Sequence, residues 1–103
     1  MAEYIDNVRS YAPAATEAAV AAIVKYCGIA LRNKDSSLVS ATDSAELATV
    51  RDGFAAKKLG LSAEAADAGI AKVVAQMKAE KQKSRVTFYY LLAAATGTLD
   101  KLG

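Results

Sequence analysis

The sequence predicts an all-α fold, a compact bundle of about five helices with an apolar C-terminal helix at its centre. Apolar residues recur along the chain at three- and four-residue intervals, the spacing of a helix with one buried face. No alternating run of useful strand length interrupts them. Nearly a quarter of the 103 residues are alanine, which buries little area and lets helices approach one another closely. A chain of this length suits one domain, residues 1–103, with one modest core of Leu, Ile, Val, Phe, Tyr and Met.

Tyr4, Ile5, Val8, Tyr11 and Ala12 share one helical face and leave Asp6, Asn7, Arg9 and Ser10 on the other, so the first ten or so residues read as a short amphipathic helix. Pro13 ends it and suits the first position of the next, where its missing N–H has no intrahelical partner. The second helix is expected from Pro13 to Tyr26 or Cys27, with Val20, Ile23, Val24, Cys27 and then Leu31 inward. Gly28 is its natural stop, although the pattern resumes as far as Arg32. Asn33 to Ser37 reads as a polar connection, followed by one helical turn at Leu38 and Val39.

Asp43 followed by Glu46 has the spacing of a capping box, and Leu47, Val50, Phe54 and Leu61 mark the inward face of a third helix closed by Gly60. Lys57 and Lys58 complement its negative end. Ser62 caps a fourth helix with the core stripe Ala66, Ile70, Val73, Val74 and Met77, while Lys72, Gln76 and Glu80 are expected to face water. Gly53 and Gly69 stand inside helical patterns, where each costs about 1 kcal/mol against alanine. Close backbone contact or a local break would account for them. The last helix, Ser84 to Gly97, carries Val86, Phe88 to Leu92 and Ala93 to Ala95 with no continuous polar face, which implies burial on most sides or a subunit interface.

The net charge of +2 is too small to announce a nucleic-acid binder. Its distribution is uneven: residues 1–52 hold five Lys or Arg against seven Asp or Glu, and residues 53–103 hold eight against four. Runs such as Ala18 to Val24 fall far short of the roughly 20 apolar residues that span a bilayer. The N-terminus lacks the basic start and apolar stretch of a signal peptide. Cys27 is the only cysteine, so no internal disulfide forms, and a cytoplasmic location is expected. In its apolar setting Cys27 reads as a small core residue.

Histidine is absent, which removes the commonest general base and metal ligand. One cysteine and unclustered carboxylates suggest no metal site and no cofactor, and the scattered glycines form no phosphate-binding loop. Catalysis would fall to a carboxylate such as Asp35, Asp43 or Glu46, but capping accounts for the last two. No enzyme is expected.

The segments Tyr11-Ala12-Pro13, Ala21 to Leu31, Phe54 to Leu61 and above all Lys83 to Ala93, Lys-Ser-Arg-Val-Thr-Phe-Tyr-Tyr-Leu-Leu-Ala, resemble a family of small uncharacterised bacterial proteins of unknown function. The resemblance covers nearly the whole chain. It implies a small cytoplasmic helical domain and supplies no catalytic residue to carry over.

One feature exceeds a plain helical scaffold. Lys78, Lys81, Lys83 and Arg85 gather at the start of the last helix, where free N–H groups already carry partial positive charge. Either Arg85 bridges to an acid on another helix, or the candidate anion-binding residues Lys81, Lys83, Ser84 and Arg85 hold an anion such as phosphate. Two functions follow. The apolar last helix suggests a protein-interaction module, binding another protein or itself. The basic start, with Tyr89 and Tyr90 as candidate stacking or interface residues, suggests an anion, nucleotide or nucleic-acid binder. Adjacent helix positions diverge by about 100°, so at least one tyrosine of the pair turns inward.

Overall fold

The first helix, α1 (Ala2–Tyr11), buries Ile5 and Val8 and leans Tyr4 and Tyr11 against the core. The computed structural model describes residues 2–32, 37–80 and 83–102. Pro13 does not open the second helix. It stands exposed in a tight turn closed by the Ala15 N–H on the Ala12 carbonyl (2.9 Å) and by Arg9 Nε on the Ala15 carbonyl (3.0 Å). The helix α2 (Glu17–Cys27) starts instead at Thr16, whose hydroxyl accepts the Ala19 N–H at 3.2 Å. A side-chain cap satisfies an orphan donor that proline can only omit. Val20 and Ile23 are buried and Val24 and Cys27 half-buried. Gly28 ends α2 at φ 49°, and a 3-10 turn continues from Gly28 to Arg32.

The expected connection at Asn33 to Ser36 lies outside the described residues. Leu38 and Val39 form no helical turn; they are a two-residue strand β1 (Leu38–Val39) paired antiparallel with β2 (Lys83–Ser84), Leu38 opposite Ser84 and Val39 opposite Lys83. Val39 is buried, and a β-branched residue suits this extended, inward position. The ladder ends where the Arg85 N–H reaches the Ser37 carbonyl at 2.8 Å. It ties the start of the last helix to a distant part of the chain.

Asp43 caps α3 (Ser44–Val50), accepting the N–H groups of Ala45 (2.9 Å) and Glu46 (3.4 Å). Beyond Val50 the expected single helix changes character: residues Arg51–Lys58 are π-helical and run on from α3 without a break in backbone direction. The buried positions Val50, Phe54, Ala55 and Leu59 explain the change. Steps of four and five residues suit the wider π turn, whereas an α-helix would carry Leu59 away from the core. Gly53 sits within this segment and Gly60 ends it at φ 69°.

Ser62 caps α4 (Ala63–Gln76) through a 3.2 Å bond from the Ala65 N–H. Ala66, Ile70, Val73 and Met77 are buried as the stripe predicts, with Val74 half-buried. Gly69 is a place of close packing: a Cβ there would come within 2.8 Å of Leu92 Cδ1 and 2.6 Å of Thr96 Cγ2. Glu80, expected in water, is half-buried and bonded.

The last helix, α5 (Arg85–Ala95), lies at the centre. Every residue from Arg85 to Ala93 is buried, and the helix packs against α1, α2, α4, the π segment and β1. A short 3-10 turn, Leu99–Leu102, then folds back and buries Leu102 beside α2 and α5. The described residues form an all-α bundle of five helices with a small two-strand ladder, and its 12.1 Å radius of gyration is close to the roughly 13 Å of a compact domain of this length. Among the described residues no helix is long and apolar enough to cross a membrane.

Candidate functional site

Arg85 begins the only helix that is enclosed along most of its length among the described residues, and its side chain is 10% exposed. Placing a guanidinium there requires partners on every side. Nη2 is bonded to Glu46 Oε1 and to the Leu38 carbonyl (3.2 Å), and Nη1 donates to the Tyr89 hydroxyl at 2.9 Å. The guanidinium carbon also stands 5.6 Å from the centre of the Tyr89 ring, within cation–π range. The burial of Arg85 works to lower its pKa, but Tyr89 and Glu46 outweigh it and hold it raised. The cation persists at any ordinary pH.

The acid opposite Arg85 is Glu46, so the capping box is only half formed. Asp43 caps α3 as expected, while the Glu46 side chain, 25% exposed, reaches α5 instead of returning to its own helix start. Arg85 offers a stronger, charge-assisted bond than a backbone N–H does. An anion at this position would have to displace Glu46.

The remaining candidates scatter around that bond. Lys83 Nζ donates to the Glu80 carbonyl at 2.7 Å, and Ser84 ends β2 as the first residue before α5 without a side-chain cap bond. Lys81 lies outside the described residues, as does Asp35. Tyr89 and Tyr90 are both buried, so neither ring has an open face for a base. Tyr89 is stacked on Phe54, centroids 4.0 Å apart and planes 12° from parallel, and Tyr26 meets Phe54 edge-on at 5.3 Å. Burial raises the Tyr89 pKa against the pull of Arg85. Beside them, burial pushes the Cys27 thiol up to about 11, again against Arg85.

A second polar cluster secures the same end of α5 to α1. Thr87 Oγ1 is bonded to Asn7 Oδ1, Asn7 Nδ2 makes a long 3.5 Å contact to Glu80 Oε1, and the Tyr11 hydroxyl donates to that oxygen at 2.8 Å. Asn7 is therefore half-buried and turned towards Thr87 and Glu80, and not wholly on the outer face that the amphipathic reading of α1 gives it. Helical periodicity sorts side chains by polarity and misses a polar residue that has a buried partner 80 positions away.

The aromatic row Tyr26–Phe54–Tyr89 carried no sequence signal, since its members belong to three elements. The surplus of cations at the start of α5 did signal a negative partner, but which acid supplied it was not readable. Tyr26 is the exposed end of the row, 42% accessible on the last turn of α2. No concave pocket opens among the described residues. What the arrangement can do chemically is hold a cation, order an aromatic surface residue and lock α3 to α5.

A family model described as "Protein of unknown function (DUF2853)" matches residues 3–100. No curated protein matches the chain.

Proposed function

Since the chain belongs to the DUF2853 family, whose description assigns no activity, we propose from its own surface that it is a non-catalytic protein-interaction module. The observation that carries this reading is Tyr26, 42% exposed yet held edge-on against Phe54 at 5.3 Å. A surface tyrosine already fixed by packing loses little freedom when a partner covers it, and such anchors dominate binding energy at protein interfaces. The interface differs from the one that the apolar last helix suggested. That helix is enclosed by its neighbours from Arg85 to Ala93 and has no such face to offer.

A cytoplasmic setting suits the lone Cys27 thiol, which stays reduced there. The experiment is quantitative cross-linking and affinity capture in the source cells, comparing the natural chain with Tyr26→Ala, together with sedimentation equilibrium for self-association. A partner, or a second copy, held by the natural chain and lost from Tyr26→Ala is the expected result. A strictly monomeric chain whose captured proteins are indifferent to Tyr26→Ala would remove the reading.

A further inference from the structure

Arg51–Lys58 leaves α-helical hydrogen bonding in the middle of a continuous helix, and π turns of this kind persist where packing outside the helix holds them. Phe54 and Leu59 do so here, both buried and both on the side of Val50. At about 100° per residue, an unbroken α-helix would turn Phe54 roughly 40° and Leu59 roughly 180° from the direction of Val50. Tertiary contacts therefore set the register against local backbone preference.

Phe54 contacts both the exposed Tyr26, edge-on at 5.3 Å, and the buried Tyr89, stacked at 4.0 Å. Tyr89 accepts a hydrogen bond from Arg85, and Arg85 holds Glu46 on α3, the helix that runs straight into the π segment. One continuous rod is thus fastened to α5 twice, at Glu46 and at Phe54. We propose that the π segment Arg51–Lys58 is a conformational coupler between Tyr26 and the Arg85–Glu46 bond. Loss of the Tyr26 ring contact removes one support of Phe54, and the segment relaxes towards α register. The Phe54–Tyr89 stack loosens with it, and so does the bond behind. The use of this linkage rests on Tyr26 as a contact residue, but the linkage itself belongs to the free chain.

Amide hydrogen exchange, followed residue by residue by NMR on the whole chain, tests it with no partner present. In Tyr26→Ala, exchange of the amides of residues 52–58 should accelerate about tenfold, with those of α4 unchanged. Deleting Gly53 sets Phe54 and Leu59 three and eight residues beyond Val50, spacings that an α-helix accommodates. In that background Tyr26→Ala should no longer accelerate exchange. Equal exchange in the natural chain and Tyr26→Ala across 52–58, or an acceleration shared by α4, overturns the coupler. The Tyr26→Ala comparison decides by itself if the deletion variant fails to fold. Partner capture that ignores Tyr26 would count against the contact reading alone, because the exchange measurement contains no partner.

Discussion

Arg85 and Glu46, 39 residues apart in sequence, are joined by a salt bridge that closes the start of α5 onto α3. The two ends of this bridge are unequal. Glu46 retains a quarter of its side-chain surface in solvent, whereas Arg85 retains a tenth and also bonds Leu38 and Tyr89 inside the fold.

That inequality predicts the response to removing Glu46. Glu46→Ala removes an ion-pair partner from a guanidinium whose side chain is only 10% exposed and is expected to lower stability by about 2–3 kcal/mol, below the range for a fully buried pair because Glu46 is partly solvated. Asp52→Ala, which removes the exposed pair with Arg51, should leave the urea midpoint where it is, as surface ion pairs usually do. Urea denaturation of the two variants makes the comparison. Equal midpoints would mean that Arg85 finds adequate solvation without its acid.

How far the sequence disclosed this depends on the range of the interaction that decides each feature. Local chemistry was legible: Ser62 and Asp43 as caps, Gly28 and Gly60 as stops, and an α5 with no continuous polar face. Pro13 misled because a permitted helix start lost to a better one at Thr16, three residues on. Leu38 and Val39 became a strand because Lys83 and Ser84 pair with them, a partner that no window around residue 38 contains. The π segment was half legible, since Gly53 marked a break that only the burial of Leu59 explains. At the candidate site, the surplus charge at Arg85 was visible, and the identity of its acid depended on the fold.

The two interior glycines are expected to respond to alanine with opposite signs. At Gly69 a Cβ would lie 2.6 Å from Thr96 Cγ2 and 2.8 Å from Leu92 Cδ1. Leu92 is fully buried, so the overlap should outweigh the gain in helix propensity and cost about 1–2 kcal/mol. At Gly53 an added Cβ meets nothing within 4 Å, and reduced freedom of the unfolded chain should add about 0.5–1 kcal/mol. Thermal melts of Gly53→Ala and Gly69→Ala, moving up and down respectively, are the check. A destabilised Gly53→Ala would show that the π segment needs glycine for its backbone.

Cys27 supplies a pH dependence. Its thiol is pushed from 9.0 up to about 11, chiefly by burial, so the folded chain holds a proton that the unfolded chain releases earlier. Stability from this source is complete below the unfolded value and is lost as pH rises from about 9 to about 11, because the unfolded state then binds fewer protons. Tyr89, also raised by burial, steepens the loss. Cys27→Ala should therefore show a shallower decline above pH 9. Reaction of the natural chain with a thiol reagent should rise with a midpoint near 11, and a midpoint near 9 would refute the burial argument.

Thr87 and Asn7 make an unequal pair of another kind. The Thr87 hydroxyl is fully buried and bonded to Asn7 Oδ1, whereas Asn7 is half-buried on α1 and also reaches towards Glu80. Thr87→Val keeps the shape of the side chain and leaves Asn7 free to find water, so its cost should be about 0.5–1.5 kcal/mol. Asn7→Ala strands a hydroxyl where water does not reach and removes the contact to Glu80, at a cost of about 1–3 kcal/mol. Combining the two changes should cost less than their sum, since each removes the same bond. Hydrogen exchange would localise the effect, with the amides of α1 opening before those of α4 because this cluster joins α1 to the start of α5. If Thr87→Val proved the costlier of the two, the hydroxyl must have a partner stronger than Asn7, and the fastening of α1 would have to be sought elsewhere.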